Sequence, residues 1–247
     1  MANIGTCALC GDENVAIERS HILPAWSYER VSRYSPGRSE PVLVTEDVAL
    51  QTSEQVRRPL LCRKCEQRFS DQEKVVARWV VQEDGSFPLL QQARELEKDV
   101  AIEISEEAAR ALSYFGTSVI WRADVAQIDP VVSLGNALKP TRAFLLGESA
   151  PPAVMVLTLL LPPRGYPRMD RVVSFPESSG GDSDARHEFV CCGVRFSYIV
   201  GETASFGAVN AFNTRLAFVS AGHSILQSVT DRVGKVTMKG KLAAKHE

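Results

Sequence analysis

The sequence predicts an α+β protein, and three observations carry that expectation. Two Cys-x-x-Cys pairs, Cys7/Cys10 and Cys62/Cys65, bracket an irregular N-terminal segment. Capped runs at helical spacing follow from Ser70 and from Ser105. Beyond Pro151 the chain changes to short apolar runs separated by Gly, Pro and Ser clusters. The chain therefore reads as a zinc-stabilised module at residues 1–95, followed at 96–247 by a domain of helix plus antiparallel or mixed sheet with a basic tail from Asp231.

Taken in order, residues 1 to about 70 hold too few apolar periods to build a core alone, and the stretch from Ser32 to Glu40 is polar and is marked by Pro36, Gly37 and Pro41. A bound metal would supply what burial cannot. Ser70-Asp71-Gln72-Glu73 has the form of a capping box, so a helix is predicted to start there. Its buried face is Val75, Val76, Trp79 and Val80, and Asp84-Gly85 with Pro88 end it. A second helix is predicted from Ser105, with Glu106 and Glu107 at the positive end of its dipole and Ala108, Leu112, Phe115 and Val119 as its buried stripe. Strands are predicted at 154–161, 171–175, 188–200 and 216–220.

Composition excludes several classes. A formal charge of -2 and a pI near 6.1 give no global signature of a nucleic-acid or membrane binder, so any such role rests on local patches. The longest apolar run, from Ala150 to Pro163, falls short of the roughly 20 residues that cross a bilayer. The first residues carry neither a basic nor an apolar signal region, which points to the cytosol and to no membrane partner. In that reducing compartment six cysteines are better explained by metal than by disulfides.

Each Cys-x-x-Cys lets one tight turn aim two thiolates at the same ion, and Gly11 suits the turn after the first pair. Cys7, Cys10, Cys62 and Cys65 are thus the predicted ligands of one zinc ion. A four-cysteine set leaves no open coordination position, so that zinc is structural. The 51 residues between the pairs exceed what a minimal ribbon needs and point to a functional insertion.

Within the insertion stands Ser20-His21-Ile22-Leu23-Pro24. A Cys-x-x-Cys knuckle, this Ser-His-Ile-Leu-Pro run, then Leu60-Leu61-Cys-x-x-Cys-Glu66 and a capped helix resemble the zinc-bound HNH, or ββα-metal, endonucleases. Thr117-Ser118-Val119-Ile120-Trp121-Arg122 also looks like a later segment of a bacterial HNH-like group, so the resemblance spans about half the chain. It implies a ββα-like module and a metal-dependent nuclease acting on DNA, in which His21 is the general base on a water and a Mg or Mn ion neutralises the scissile phosphate. It also implies a setting in bacterial antiphage defence, with a partner protein.

The chain departs from that family where Arg57-Arg58 and Glu66 stand in place of its asparagine and second histidine. Glu66 is then either a hard oxygen ligand for the catalytic metal or a partner of Arg63 or Arg68. Glu73 is either a helix cap or a ligand, and Asp71 is a weaker candidate. Arg57, Arg58, Arg63, Lys64 and Arg68 form a basic cluster able to meet a phosphate backbone. Arg122 is read as a buried ion-pair member or a cation on the Trp121 indole. His187, His223 and His246 lack ligand spacing, and Cys191-Cys192 reads as filler in a strand. The reading from a different class is a catalytically inactive, zinc-stabilised adaptor that contacts nucleic acid or a partner subunit.

Overall fold

In the computed structural model, the described residues are 3–33, 42–44, 48–52, 54–128, 131–162, 169, 172–181, 184–201, 209–222, 227, 231–232 and 235–239. The polar stretch 34–41, His223, His246 and the tail beyond 239 lie outside them. The chain begins with strands β1 (Asn3–Gly5) and β2 (Val15–His21), helix α1 (Ala25–Arg33), and strands β3 (Val42–Val44), β4 (Val48–Gln51) and β5 (Arg57–Cys62). Helix α2 (Arg63–Trp79) follows β5 without a loop. Strands β1, β2 and β5 form an antiparallel sheet in that order, with a register shift between Glu18 and Arg19.

Helix α2 starts at Arg63 and not at the predicted Ser70, with Cys62, in extended backbone, as its N-cap. The cause is the second knuckle. The x-x spacing of Cys62 and Cys65 is one helical turn, so winding the chain there brings both sulfurs to one side. The Ser70–Glu73 pattern lies mid-helix, where the backbone donors that a cap would satisfy are already bonded.

The chain continues through α3 (Pro88–Gln91), β6 (Arg94–Glu97), β7 (Ala101–Glu103) and α4 (Glu106–Ala126), and a 3-10 turn at Gly135–Ala137 leads into α5 (Leu138–Leu146). It ends in β8 (Val154–Leu161), β9 (Glu177–Ser179), β10 (Asp184–Cys191), β11 (Val194–Gly201), α6 (Ala211–Thr214), β12 (Leu216–Ala221) and β13 (Thr237–Lys239). Seven strands form a mixed sheet in the order β6-β7-β12-β8-β11-β10-β9, where only the β12–β8 pairing is parallel. Strand β13 joins β4 and β3 in a small third sheet. The expected α+β class and mixed sheet are both present.

Helix α4 is the centre of the packing. Ser105 caps it as expected, its hydroxyl accepting from the Ala108 N–H at 3.2 Å, and the stripe Ala108, Leu112, Phe115 and Val119 is fully buried. Burial is not confined to that stripe, because one face meets α2 through Trp121 against Phe69 and another meets the sheet through Phe115 against Phe196. Gly116 permits that close approach: a Cβ there would stand 2.8 Å from both Met155 Cε and Phe196 Cδ1. A Gly116→Val variant is expected to lose about 1–3 kcal/mol by overpacking, read from urea midpoints at unchanged m.

Two predicted strands come out differently. The run 188–200 is a hairpin, β10 and β11, turning at Cys192-Gly193 with φ of 47° and 89°. Positive φ at both central residues is the two-residue turn that matches strand twist, and without Asn or Asp beside Gly193 it reads as strand. Cys192 is therefore a turn residue, and both thiols are buried. Of the predicted strand 171–175, the described residues 172–175 show only an isolated bridge, Val173 to Cys191.

One core of buried side chains runs from Cys7, Leu9 and Cys62 through α2 and α4 to Phe196 and Ala217 on the large sheet. A small second cluster, Leu160, Met169 and Val190, explains why β8 is apolar at almost every position.

Candidate metal centre and the polar site at the end of β2

The first knuckle is a turn closed by the Gly11 N–H on the Cys7 carbonyl and by the Cys7 N–H on the Asp12 carbonyl, both at 2.9 Å. Gly11 has φ +83°, where a side chain would be strained, and an added Cβ would also stand 2.9 Å from Arg142 Nη2. Arg142 on α5 holds this turn from outside, its Nε donating to the Leu9 carbonyl at 2.6 Å. The Cys62 N–H donates to Cys7 Sγ at 3.3 Å and ties the two knuckles together.

A tetrahedral zinc with Zn–S bonds of about 2.3 Å separates its sulfurs by about 3.8 Å. Cys10 and Cys62 Sγ are 3.8 Å apart, and all four Sγ atoms lie within 4.8 Å of one another. The four cysteines therefore fit a metal ion such as zinc. Burial pushes the Cys7 thiol up, but N–H groups of Cys62, Cys10 and Leu9 outweigh it and bring it down to about 7. Burial holds Cys10 up at about 11 and also raises Cys65. A dication among the sulfurs reverses that balance, because coordination deprotonates thiols.

At the far end of β2 a second group of polar side chains converges. His21, the last residue of the strand, is half-buried and stands opposite Arg57 in register, with Ser20 opposite Arg58. His21 Nε2 lies 2.6 Å from Gln55 Oε1, and its carbonyl accepts from Arg122 Nη1 at 2.8 Å. Burial lowers the imidazole below its ordinary value, with the Arg57 and Arg122 charges in the same direction and Gln55 and Glu73 opposing, so the ring is neutral at physiological pH.

Glu66 and Glu73, one heptad apart on α2, face the same region. Glu66 accepts from the Ser20 hydroxyl, and burial raises its carboxyl above the usual range against that hydrogen bond and the Arg122 charge. Glu73 pairs with Arg122 at 2.7 Å. Arg122 is 2% exposed and stacks on Phe69, its Cζ 5.2 Å from the ring centroid. The buried ion pair is thus the arrangement found for Arg122, with Phe69 and not Trp121 beneath it. Glu66 meets Ser20 and not Arg63 or Arg68.

The basic residues divide. Arg57 and Arg58, exposed, sit at the His21 end of β5; Arg63 and Lys64, also exposed, sit at the cysteine end, roughly 20 Å of strand away. Arg68 caps α5, donating to the Leu145 and Leu146 carbonyls at 3.2 and 2.8 Å. Asp71 is exposed and bonded to Gln67 and Lys74, outside the site. The residue absent from the sequence reading is Gln55. Its only local signal is the Gln55-x-Arg57 alternation, which puts both side chains on one side of an extended chain.

His187 belongs to neither group. It is fully buried on β10, with Nδ1 2.8 Å from Ser178 Oγ and no partner for Nε2 among the described residues, and burial alone lowers it to about 4. A depressed histidine favours the fold above its unfolded pKa, and that contribution is lost as pH falls through the folded one. Stability is thus expected to drop by roughly 3 kcal/mol between about pH 6.5 and pH 4 on account of this residue. His187→Phe should flatten that limb in urea titrations taken across the range; an unchanged limb would remove His187 as its cause.

No helix among the described residues is long and apolar enough to cross a membrane. Set against family models, curated proteins and solved structures, the chain finds no match.

Proposed function

We propose that this protein is a metal-dependent, HNH-like nuclease acting on DNA, with zinc at the four cysteines as its scaffold. The observation that carries the reading is the convergence of His21 from β2 with Glu66 and Glu73 from α2 around one buried arginine, Arg122. His21 and Glu66 are both shifted from their ordinary values, and perturbed groups gathered in one place are a mark of functional sites. The antiparallel pair β2–β5 running directly into α2 also agrees with a strand-strand-helix module.

In this reading the neutral His21 ring accepts a proton from water as the hydroxide oxygen adds to phosphorus. The bond to the leaving oxygen then breaks, that oxygen taking a proton from a second water, and Arg57 and Arg58 hold the flanking phosphates. A Mg or Mn ion, when bound, supplies charge neutralisation at the scissile phosphate, and Glu66 is the carboxylate that would hold it. Magnesium needs only one or two protein carboxylates beside substrate phosphate and water. Glu73, committed to Arg122, keeps that guanidinium on the His21 carbonyl.

One observation favours the non-catalytic adaptor. Both carboxylates already have protein partners, and among the described residues the four cysteines alone form a ligand cluster of three or more His, Cys, Asp or Glu. Plasmid nicking by zinc-loaded protein with added Mg or Mn separates the two readings. The nuclease reading expects nicking by wild type, a loss of at least about 100-fold in His21→Ala with unchanged zinc content, and a comparable loss in Glu66→Ala. Wild type that nicks under neither ion supports the adaptor.

A further inference from the structure

We infer that Gln55, braced by Arg57, is a positioning residue that holds His21 in the tautomer protonated at Nε2 and presents Nδ1 to the attacking water; this rests on the reading of His21 as general base. The assignment follows from a chain of donors and acceptors. Arg57 Nη2 lies 2.8 Å from Gln55 Oε1, and a guanidinium has hydrogens to donate and no lone pair to accept with. The Gln55 atom facing it is therefore the amide oxygen. That same atom lies 2.6 Å from His21 Nε2, and an oxygen already accepting from Arg57 offers no proton to the ring. His21 Nε2 must carry the hydrogen, and the lone pair of the neutral imidazole is on Nδ1.

The surroundings keep this arrangement in place. The Ile22 N–H donates to the Val56 carbonyl at 3.2 Å, so the loop segment that carries Gln55 is bonded to the residue after His21. Arg122 fixes the other side of His21 through its carbonyl, and Glu73, the remaining charged group near the ring, is paired with Arg122. Among the described residues no recorded hydrogen bond reaches Nδ1. When the ring takes a proton there, the Nε2–H bond to Gln55 persists, so the imidazolium forms without a change of partner.

The test reads the ring nitrogens directly. Long-range proton–nitrogen spectra of the histidine-labelled 247-residue chain, taken above the His21 titration, are expected to show Nε2 protonated and Nδ1 as the bare nitrogen. Gln55→Leu removes the acceptor and should mix or reverse the tautomers, with nicking down at least 10-fold. Gln55→Glu keeps an acceptor at the same place and should restore both the tautomer and most of the rate. Nδ1 protonated in wild type, or a tautomer that stays put in Gln55→Leu, overturns the inference whether or not the protein nicks. If Gln55→Leu does not fold, Gln55→Glu with a reversed tautomer overturns it equally. The correct tautomer in a wild type that cleaves nothing instead defeats the nuclease reading, and with it the role assigned to Nδ1.

Discussion

A Cys62→Ser variant is expected to hold no metal at the four-cysteine cluster and to unfold through the whole N-terminal half. Cys62 ends β5, stands at the N-cap position of α2, donates its backbone N–H to Cys7 Sγ and places its own sulfur in the cluster, so one residue joins the strand, the helix and both knuckles. Apparent zinc affinities in small four-ligand sites reach about 10–16 kcal/mol, comparable with the entire stability of an ordinary domain. Losing a ligand should therefore leave α2 without its starting turn and the burial of Leu9, Leu61 and Phe69 incomplete. Metal content by elemental analysis should fall from one zinc per chain to near zero, with the cooperative thermal transition lost or broadened. A variant that keeps both its zinc and its melting transition would remove the four cysteines as the organising site. Chelation of wild type should give the same result, reversed by added zinc.

Arg122→Ala is expected to cost about 3–5 kcal/mol, because it leaves Glu73 as a largely buried charge without its partner. The guanidinium also donates to the carbonyls of His21 and Ser118 and covers Phe69, so the loss combines unsatisfied acceptors with a void. Replacing both partners by apolar residues, Arg122→Met with Glu73→Leu, should cost less than Arg122→Ala alone. That inversion identifies an uncompensated charge, and not lost packing, as the main cause. Denaturant unfolding of the two variants measures it; a double variant as damaged as the single one would assign the effect to packing.

Features set by local spacing were the ones legible in the sequence. The cysteine pairs and the Ser105 cap depend on neighbours one turn away, and both stand where their spacing placed them. The same locality misled at Ser70, where a capping pattern occurs inside a helix that a strand and a knuckle had already started. It misled again at Cys192-Gly193, where backbone sign makes the turn and residue type barely records it. For the polar site, His21, Glu66 and Glu73 were named individually, but what joins them was hidden. Arg122 reaches His21 across 101 positions and Gln55 reaches it across 34, and no periodicity encodes contacts at that range.

The placement of Arg122 bears on what can be cut from this chain. A fragment ending near residue 95 would keep the four clustered cysteines, His21 and both glutamates, yet it would lack the guanidinium that joins His21 to Glu73, along with the hydrophobic helix that α2 rests on. That helix is pinned at Gly116 to the large sheet, so the sheet serves the histidine as a distant foundation. Transplanting that fragment onto another protein would carry the four clustered cysteines across and leave the polar site incomplete.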